Sequence, residues 1–464
     1  MTLIKSISGF RGTIGGRPGD TFNPIDIAQS VSAYAQLRKK YVSNTYRRKI
    51  VVGRDARISG EMATHVVCGT LISMGFDVVN IGLASTPTTE LAVTMEHAVG
   101  GIIITASHNP RQWNALKFLN EHGEFLPPTE ASEVVRLANN GKVDFVDVDN
   151  MGCYTKNFSY DQRHIEHIMD LELVDVEAIK RAHFRVCIDT VNSVGGVILP
   201  KFLGQLGVTE VTSLNGEPTG DFAHNPEPLK ENLTEIRNLM RKGRHDIGFV
   251  VDPDVDRLAL VCEDGMMFGE ENTLVAVADY VLQNTPGNTV SNLSSTRGLR
   301  DVTEKYGCSY QPAAVGEVNV VTKMRETGAV IGGEGNGGVI YPAAHSGRDA
   351  LVGIALLLTY LAKTGMKTSE LRDSLPVYYI AKNRIDLDPT TDIYAIMQEV
   401  KTLFKKEKVT DIDGVKIDFA EKWVHLRKSN TEPIIRVYSE AHTPEEADAL
   451  GKQIMDLVYT MVNK

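Results

Sequence analysis

The sequence predicts an α/β protein of three similar α/β domains with mixed sheets, followed by a smaller α+β C-terminal domain. Three observations carry that expectation. The chain has 464 residues, too long for one compact core, so about three or more domains of roughly 150 residues each are expected. Three segments share one pattern, an apolar strand running into a loop that carries Asp: "KIVVGRDAR" (49–57), "FRVCIDTVNS" (184–193) and "DIGFVVDPDVDR" (246–257). Each is followed by a helix-like stretch and another strand-like run, the rhythm of strand–helix–strand units. The last hundred residues differ, with strand-like runs "VYYIAKNRIDL" and "WVHLRKSN…PIIRVYSE" flanking helical stretches at 391–406 and 444–462. Changes of character near 145–158, 241–246 and 364–377 place the domains at 1–152, 153–244, 245–366 and 367–464.

Hydrophobic residues make up 42% of the chain and charged residues 23%, the mix of an ordinary globular protein. A net charge of −10 argues against nucleic acid or an acidic membrane as partner, while leaving room for a small anion in a local basic pocket. The five cysteines, Cys68, Cys153, Cys187, Cys262 and Cys308, form no CxxC pair and read as reduced, core-packed thiols of a cytoplasmic protein. "MTLIKSISGFRG" shows no apolar core of a secretory signal. The longest apolar run, "LVGIALLLTYLAK" (351–363), is too short to span a bilayer and predicts a buried helix.

Four stretches carry chemistry. In "GIIITASHNP" (101–110) a buried strand ends in Ser107, His108, Asn109 and Pro110, and open α/β sheets place ligands beyond the carboxyl ends of strands. Pro110 forbids an immediate helix, so Ser107 sits at a loop tip. In "DPDVDR" (252–257), Asp252, Asp254 and Asp256 alternate, and an extended chain would put three carboxylates on one side, close enough to share a hard cation. Mg²⁺ suits such oxygen ligands. An EF-hand fits part of the spacing, with Glu263 at the twelfth position, but Arg257 stands where that loop needs Gly and a strand leads in. A solvated acidic turn is the bland alternative. In "GGEGNGGVIYP" (332–342), glycines would let the backbone approach a ligand, and Glu334 and Asn336 could hydrogen-bond vicinal sugar hydroxyls, although glycine clusters alone are more often just turns. In "RKSNTEPIIRVYSE" (427–440), Arg427, Ser429, Asn430 and Thr431 concentrate the donors a phosphate needs, with Arg436 as a second charge; an Asx/ST turn is the alternative.

Taken together and in this order, "TASHNP", "DPDVDR", "GEGNGG" and "RKSNTEP" resemble the serine, metal, sugar and phosphate loops of the α-D-phosphohexomutase superfamily across essentially the whole chain. The resemblance implies an active site in a central cleft and an enzyme of the isomerase class that interconverts hexose 6-phosphate and 1-phosphate. Ser107 would be a phosphoserine that passes its phosphoryl group to a hexose phosphate, forming a hexose 1,6-bisphosphate that serves as intermediate and activator. Ser107, Asp252, Asp254 and Asp256 would hold Mg²⁺. Lys117 matches the family's general acid/base, Arg11 and Arg257 would offset charge, and His108 would be a hydrogen-bonding member of the same loop. Glu334 and Asn336 would bind the sugar. Arg427, Ser429, Asn430, Thr431 and Arg436 would clamp the phosphate that does not react. The partner implied is a small hexose phosphate, with no nucleic acid or membrane, and the protein a monomer or homodimer. Three positions depart from the pattern: Pro253 and Asn430 stand where Gly is usual, and Ala115 replaces Gly in "NALK", leaving every reactive group in place. The "GEGNGG" loop and "AAVGEVNVVTKM" (313–324) look most like archaeal-type phosphoglucosamine mutases, favouring glucosamine 6-phosphate to glucosamine 1-phosphate. Glucose or mannose phosphate is the alternative. A sugar-phosphate hydrolase is more remote, because hydrolysis needs no distal phosphate clamp, and a silent sugar-phosphate sensor would not need Ser107 and the Asp triplet.

Overall fold

The structure, a computed structural model, describes residues 2–6, 9–41, 48–388, 390–429 and 434–462. Three α/β domains with mixed sheets precede a C-terminal domain built on an antiparallel sheet, as expected. By packing, the chain divides into one compact unit of 1–273 with 336–372 and a second of 274–335 with 373–464.

The first unit contains two sheets. One has seven strands, β1 (Ile4–Ser6), β2 (Gly9–Thr13), β3 (Lys49–Arg54), β4 (Asp77–Leu83), β5 (Gly100–Ile104), β6 (Trp113–Leu119) and β7 (Tyr154–Lys156), in the order β1-β2-β6-β5-β3-β4-β7. β5, β3, β4 and β7 run parallel, and β6 reverses. The apolar runs "IVV" and "GGIII" are continuous because both faces of the sheet are covered. Ile50, Val52, Ile102 and Ile104 pack with the helices Pro24–Lys39 and Gly60–Ser73, while Val51 and Ile103 face the helix Thr86–Met95. Side-chain alternation along each strand sets that division.

The second sheet joins β8 (Arg185–Asp189), β9 (Glu210–Leu214), β10 (Ile247–Val251) and β11 (Leu258–Cys262) in the order β11-β10-β8-β9. β8 and β10 are parallel neighbours, with Ile247 opposite Val186, and β10 turns back into β11. The Asp-bearing strands near 189 and 252 therefore lie side by side, and the break expected after 244 falls inside a sheet. Similar strand signatures marked neighbours rather than separate domains. The helix Ala350–Thr364 is the buried one expected, capped by Asp349. No single helix among the described residues is long and apolar enough to cross a membrane. Cys68, Cys187 and Cys262 are buried as expected, but Cys308 is half-buried and Cys153, beside the edge strand β7, is exposed.

In the second unit, Thr289–Asn292 pairs in parallel with both Tyr310–Ala313 and Ile331–Glu334. The C-terminal sheet runs Tyr379–Asp386, Ile434–Ala441, Trp423–Lys428, Val415–Asp418, Lys408–Thr410, every pair antiparallel. Its core face meets the helices Ile393–Leu403 and Pro444–Val462 through Ile385, Ile435, Val437, Leu426, Val400 and Ile454. The strands at 408–410 and 415–418 lack a long apolar run, and pairing with Trp423–Lys428 supplies what local propensity does not.

Candidate active site

Ser107 follows β5 at the carboxyl edge of the first sheet, with a left-handed φ of 47°. That conformation is unfavourable for a residue with a side chain and persists only where surroundings over-determine it. Here they do. The Ser107 N–H donates to Thr105 Oγ1 at 2.9 Å, and Thr105 Oγ1 donates to Asp55 Oδ2 at 2.7 Å. The fully buried Arg57 guanidinium donates to the carbonyls of Ser107 (2.5 Å), Asn109 (2.6 Å), Pro110 (2.9 Å) and Trp113 (2.8 Å). Its own Nε rests on Asp55 Oδ2 at 3.1 Å. Burial pushes the Asp55 carboxyl up, and Arg57 beside it opposes the rise. Arg57 thus grips the serine loop from beneath by four backbone carbonyls.

The hydroxyl so presented points at the acidic triplet: Ser107 Oγ donates to Asp252 Oδ2 at 2.8 Å. Asp252, Asp254 and Asp256 are fully buried, and one oxygen from each lies within 4.8 Å of the others. They converge through a tight turn rather than the extended chain expected, with Val255 at φ 61° and its N–H donating to the Asp252 carbonyl at 3.1 Å. Asp252 Oδ1 accepts the N–H groups of Asp256 and Arg257, both at 3.2 Å. Asp254 Oδ2 accepts from Lys117 Nζ at 2.8 Å and Thr86 Oγ1 at 2.7 Å. Asp256 Oδ2 meets Arg348 Nη2 at 2.5 Å and Lys117 Nζ at 3.8 Å.

Burial and the two neighbouring carboxylates push the Asp252 carboxyl well up. Burial would raise Asp254 too, but Lys117 holds it far below the usual carboxylate range. Burial likewise opposes the charge on Lys117, yet Asp254 and Asp256 raise its pKa above the ordinary lysine value. Asp254 Oδ1 and Asp256 Oδ1 are buried without a hydrogen-bond partner. Buried oxygens so placed are costly unless a cation meets them. Three hard carboxylates beside a serine hydroxyl fit Mg²⁺.

Lys117 stands on β6. Strand register places Arg11 of β2 opposite Ala115, hence on the same sheet face as Lys117 two residues on. Arg11 is half-buried, and burial lowers its pKa. Arg257 Nε is buried 4.0 Å from Asp256 Oδ1, without a hydrogen bond. His108 Nδ1 lies 3.4 Å from Ser107 Oγ, and burial, followed by the charge of Arg257, pushes the imidazole down to about 2. It is a neutral hydrogen-bonding neighbour of the serine.

The sugar-loop residues fall in different units. Glu334, in the second, is buried and its Oε1 accepts from Asn292 Nδ2 at 2.8 Å and the Gly316 N–H at 3.1 Å. Asn336, in the first, accepts the Gly338 N–H at 3.2 Å. In the second unit Arg427 and Arg436 are direct cross-strand partners, and the buried Ser429 closes the pair with its N–H on the Ile434 carbonyl at 3.0 Å. Asn430 and Thr431 lie outside the described residues.

Sequence reasoning missed Arg57, Thr86 and Arg348. The Asp55-x-Arg57 spacing after β3 was a usable signal, because a short acidic–basic pair at a strand end marks a buried ion pair. Arg348 offered only its place before Asp349, the cap of a long apolar helix. That loop is itself pinned: His345 Nε2 lies 3.1 Å from Asp349 Oδ2 and its Nδ1 3.4 Å from the buried Glu90, while His164 Nε2 meets the same Asp349 oxygen at 2.8 Å. The two sheets also meet here. Ser193 Oγ donates to the Pro253 carbonyl at 2.7 Å and accepts the Ala56 N–H at 3.3 Å, and the Thr86 N–H donates to the Asp254 carbonyl at 2.9 Å.

A serine on a strained loop, aimed at a cation-ready carboxylate triplet with a half-buried lysine beside it, defines a phosphoryl-transfer enzyme. Residues 4–144, 162–265 and 270–379 match the α/β/α domains I, II and III of phosphoglucomutase/phosphomannomutase, and 388–457 match its C-terminal domain. The chain belongs to this family, within the α-D-phosphohexomutase superfamily, and is a phosphohexomutase of the isomerase class. A phosphoglucomutase/phosphomannomutase of Thermococcus kodakarensis is 38% identical over 405 residues, covering 86% of this chain and 88% of its own. A phosphoglucosamine/phosphogalactosamine mutase of Sulfurisphaera tokodaii is 32% identical over 419 residues, covering 88% and 91%. The crystal structure of a phosphoglucomutase/phosphomannomutase family protein from Burkholderia thailandensis superposes with a TM-score of 0.84 at 24% identity, covering 99% of this chain and 97% of that one, and so shares its fold.

Proposed function

We propose that this chain interconverts glucosamine 6-phosphate and glucosamine 1-phosphate through a phosphoserine at Ser107 and a hexose 1,6-bisphosphate intermediate. The observation that carries the reading is Ser107 Oγ on Asp252 at 2.8 Å, in a triplet whose remaining buried oxygens await a cation. Ser107, Asp252, Asp254 and Asp256 hold Mg²⁺, which supplies charge neutralisation at the transferring phosphoryl group. The bond from Ser107 Oγ to phosphorus breaks as one forms to a sugar hydroxyl oxygen, and the reverse transfer returns the sugar's other phosphoryl group to Oγ. Lys117 Nζ carries the proton between the accepting hydroxyl and Oγ. Arg11 and Arg257 bear the charge left on the phosphoryl oxygens, and His108 holds its place as a neutral neighbour. Glu334 and Asn336 bind the sugar in both orientations. Arg427, Ser429, Asn430, Thr431 and Arg436 anchor the distal phosphate, turning binding energy into positioning.

The "GEGNGG" loop and the amino-sugar mutase of Sulfurisphaera tokodaii support the amino-sugar substrate. A second reading, glucose or mannose phosphate, is favoured by the more similar Thermococcus kodakarensis relative. The test is a mutase assay on purified protein with Mg²⁺ and a trace of bisphosphate, comparing glucosamine 6-phosphate with glucose and mannose 1-phosphates. A higher kcat/KM for the amino sugar, abolished by Ser107→Ala, is expected. Preference for the neutral sugars overturns the substrate, and activity surviving Ser107→Ala overturns the phosphoserine.

A further inference from the structure

One face of the C-terminal sheet carries an arrangement that none of the four motif stretches accounts for. Arg436 pairs across the strands with Arg427 on one side and with Arg384 on the other. Ile385, Val437 and Leu426, one residue along each strand, point into the core of this domain. The three arginines therefore share the opposite face in a single row. The next row has Lys382 and Lys416 at its ends, with the neutral Tyr438 and His425 between them in register.

Like charges directly opposite one another weaken a sheet, and the row sits in a chain of net charge −10. Among the described residues its counter-charges lie at the two ends. Arg384 Nε is 3.5 Å from Asp386 Oδ1, and Arg427 Nη1 is 3.5 Å from Asp413 Oδ2. Among the described residues no carboxylate pairs with the half-buried Arg436. A row kept at that cost is built for an anion. Its width identifies the anion. Adjacent strands lie about 4.8 Å apart, so the row extends roughly 10 Å. One phosphate is served by two neighbouring guanidinium groups. The third stands a full strand farther out.

We propose that Arg384 completes, with Arg436 and Arg427, an anion-binding row that retains a sugar bisphosphate while it changes orientation. The proposal rests on the mutase reading and adds to it a residue outside the phosphate loop. Two phosphates on one sugar engage the row together, and when one leaves Arg427 the next guanidinium keeps the molecule on the protein. Arg384 sits on an edge strand with its side chain 63% exposed, so its replacement leaves the core of the domain untouched.

The test uses the full chain with Arg384→Gln and Arg384→Lys, and α-D-glucose 1,6-bisphosphate as probe. Titration calorimetry gives its affinity, and rapid quench from phosphorylated enzyme gives the fraction of bisphosphate released per turnover. Losing one charged partner is expected to weaken bisphosphate binding about tenfold or more and to raise its release in proportion. KM for the monophosphate stays within about twofold, because Arg427 and Arg436 still serve a single phosphate. Arg384→Lys keeps the charge without the fork and recovers part of the loss. If the parent protein turns over hexose phosphate while Arg384→Gln binds and releases bisphosphate as before, the row is overturned and the mutase reading stands. If the parent shows no turnover yet binds bisphosphate in an Arg384-dependent way, the row stands and the mutase reading falls.

Discussion

Arg57 has no expected place in the chemistry, yet its removal should be among the most damaging changes to it. The side chain donates to four carbonyls of the serine loop and to Asp55, and it is fully buried. Charge-assisted hydrogen bonds contribute about 1.5–3 kcal/mol each, so a naive sum over five passes 7 kcal/mol. That sum overcounts. Pro110 is exposed and Asn109 half-buried, so their carbonyls can turn to water, and Asp55 can take up a proton once its cation has gone. The uncompensated loss is that of the two remaining carbonyls, of Ser107 and Trp113, about 1–3 kcal/mol of stability each for Arg57→Ala. The catalytic loss has a different origin. Ser107 is held at a left-handed φ that costs about 1–3 kcal/mol, and without the clamp it relaxes. An ångström of displacement at the reacting atom costs about a hundredfold in rate. Arg57→Lys separates the two effects, since it retains a cation for Asp55 but cannot meet four planar acceptors at once. We expect Arg57→Lys to fold, to lose about two orders of magnitude in kcat at nearly unchanged KM, and to accept phosphate on Ser107 correspondingly slowly. A kcat within about threefold of the parent would refute the clamp.

Two further outcomes follow from the same geometry. Adding Mg²⁺ at a hundred times its dissociation constant should stabilise the protein by about 2.7 kcal/mol, read as a rise in Tm that EDTA reverses; Asp256→Asn should remove most of that rise, and a Tm indifferent to Mg²⁺ would argue against the triplet as a metal site. His345 is driven up from 6.5 to about 10: burial opposes its charge, but Asp349 and Glu90 outweigh it, with His164 on the far side of Asp349. A raised folded-state pKa stabilises fully below about 6.5 and loses that contribution as pH climbs toward 10. The gap in denaturant midpoint between parent and His345→Gln should therefore be wide at pH 6 and narrow at pH 9.5, and a gap that widens with pH would reverse the sign of the argument.

The α/β class, the smaller C-terminal domain and the position of Ser107 and the Asp triplet at strand ends were legible because each depends on local pattern. Continuous "IVV" and "GGIII" runs announce strands covered on both faces, and reactive residues at strand ends announce a site. Long-range pairing was not legible. β8 and β10 look like the opening strands of separate domains, since an apolar strand ending in Asp carries no mark of which sheet it will join. The Asp triplet was recognised, but its geometry was not, because the alternation suits extended chain and the left-handed Val255 that closes the turn is an unusual conformation for a β-branched residue. Arg348 reaches Asp256 across 92 residues of sequence, a pairing that no spacing rule anticipates.

The hydroxyl of Ser193 has a consequence for how this part of the chain opens. It accepts from the Ala56 amide beneath the serine loop and donates to the Pro253 carbonyl in the acidic turn, and the Thr86 amide holds the very next carbonyl, that of Asp254. The acidic turn is thus stitched to both sheets of the first unit through side chains too short to yield. Local fraying of either sheet alone would strand these partners in a buried setting, so the amides of Ala56, Thr86 and Val255 share one opening event rather than three. In native-state hydrogen exchange they would form a single cooperative set. The chemistry then rests on the slowest-breathing part of the unit, and a loop that must hold a strained serine is spared the mobility that loops ordinarily have.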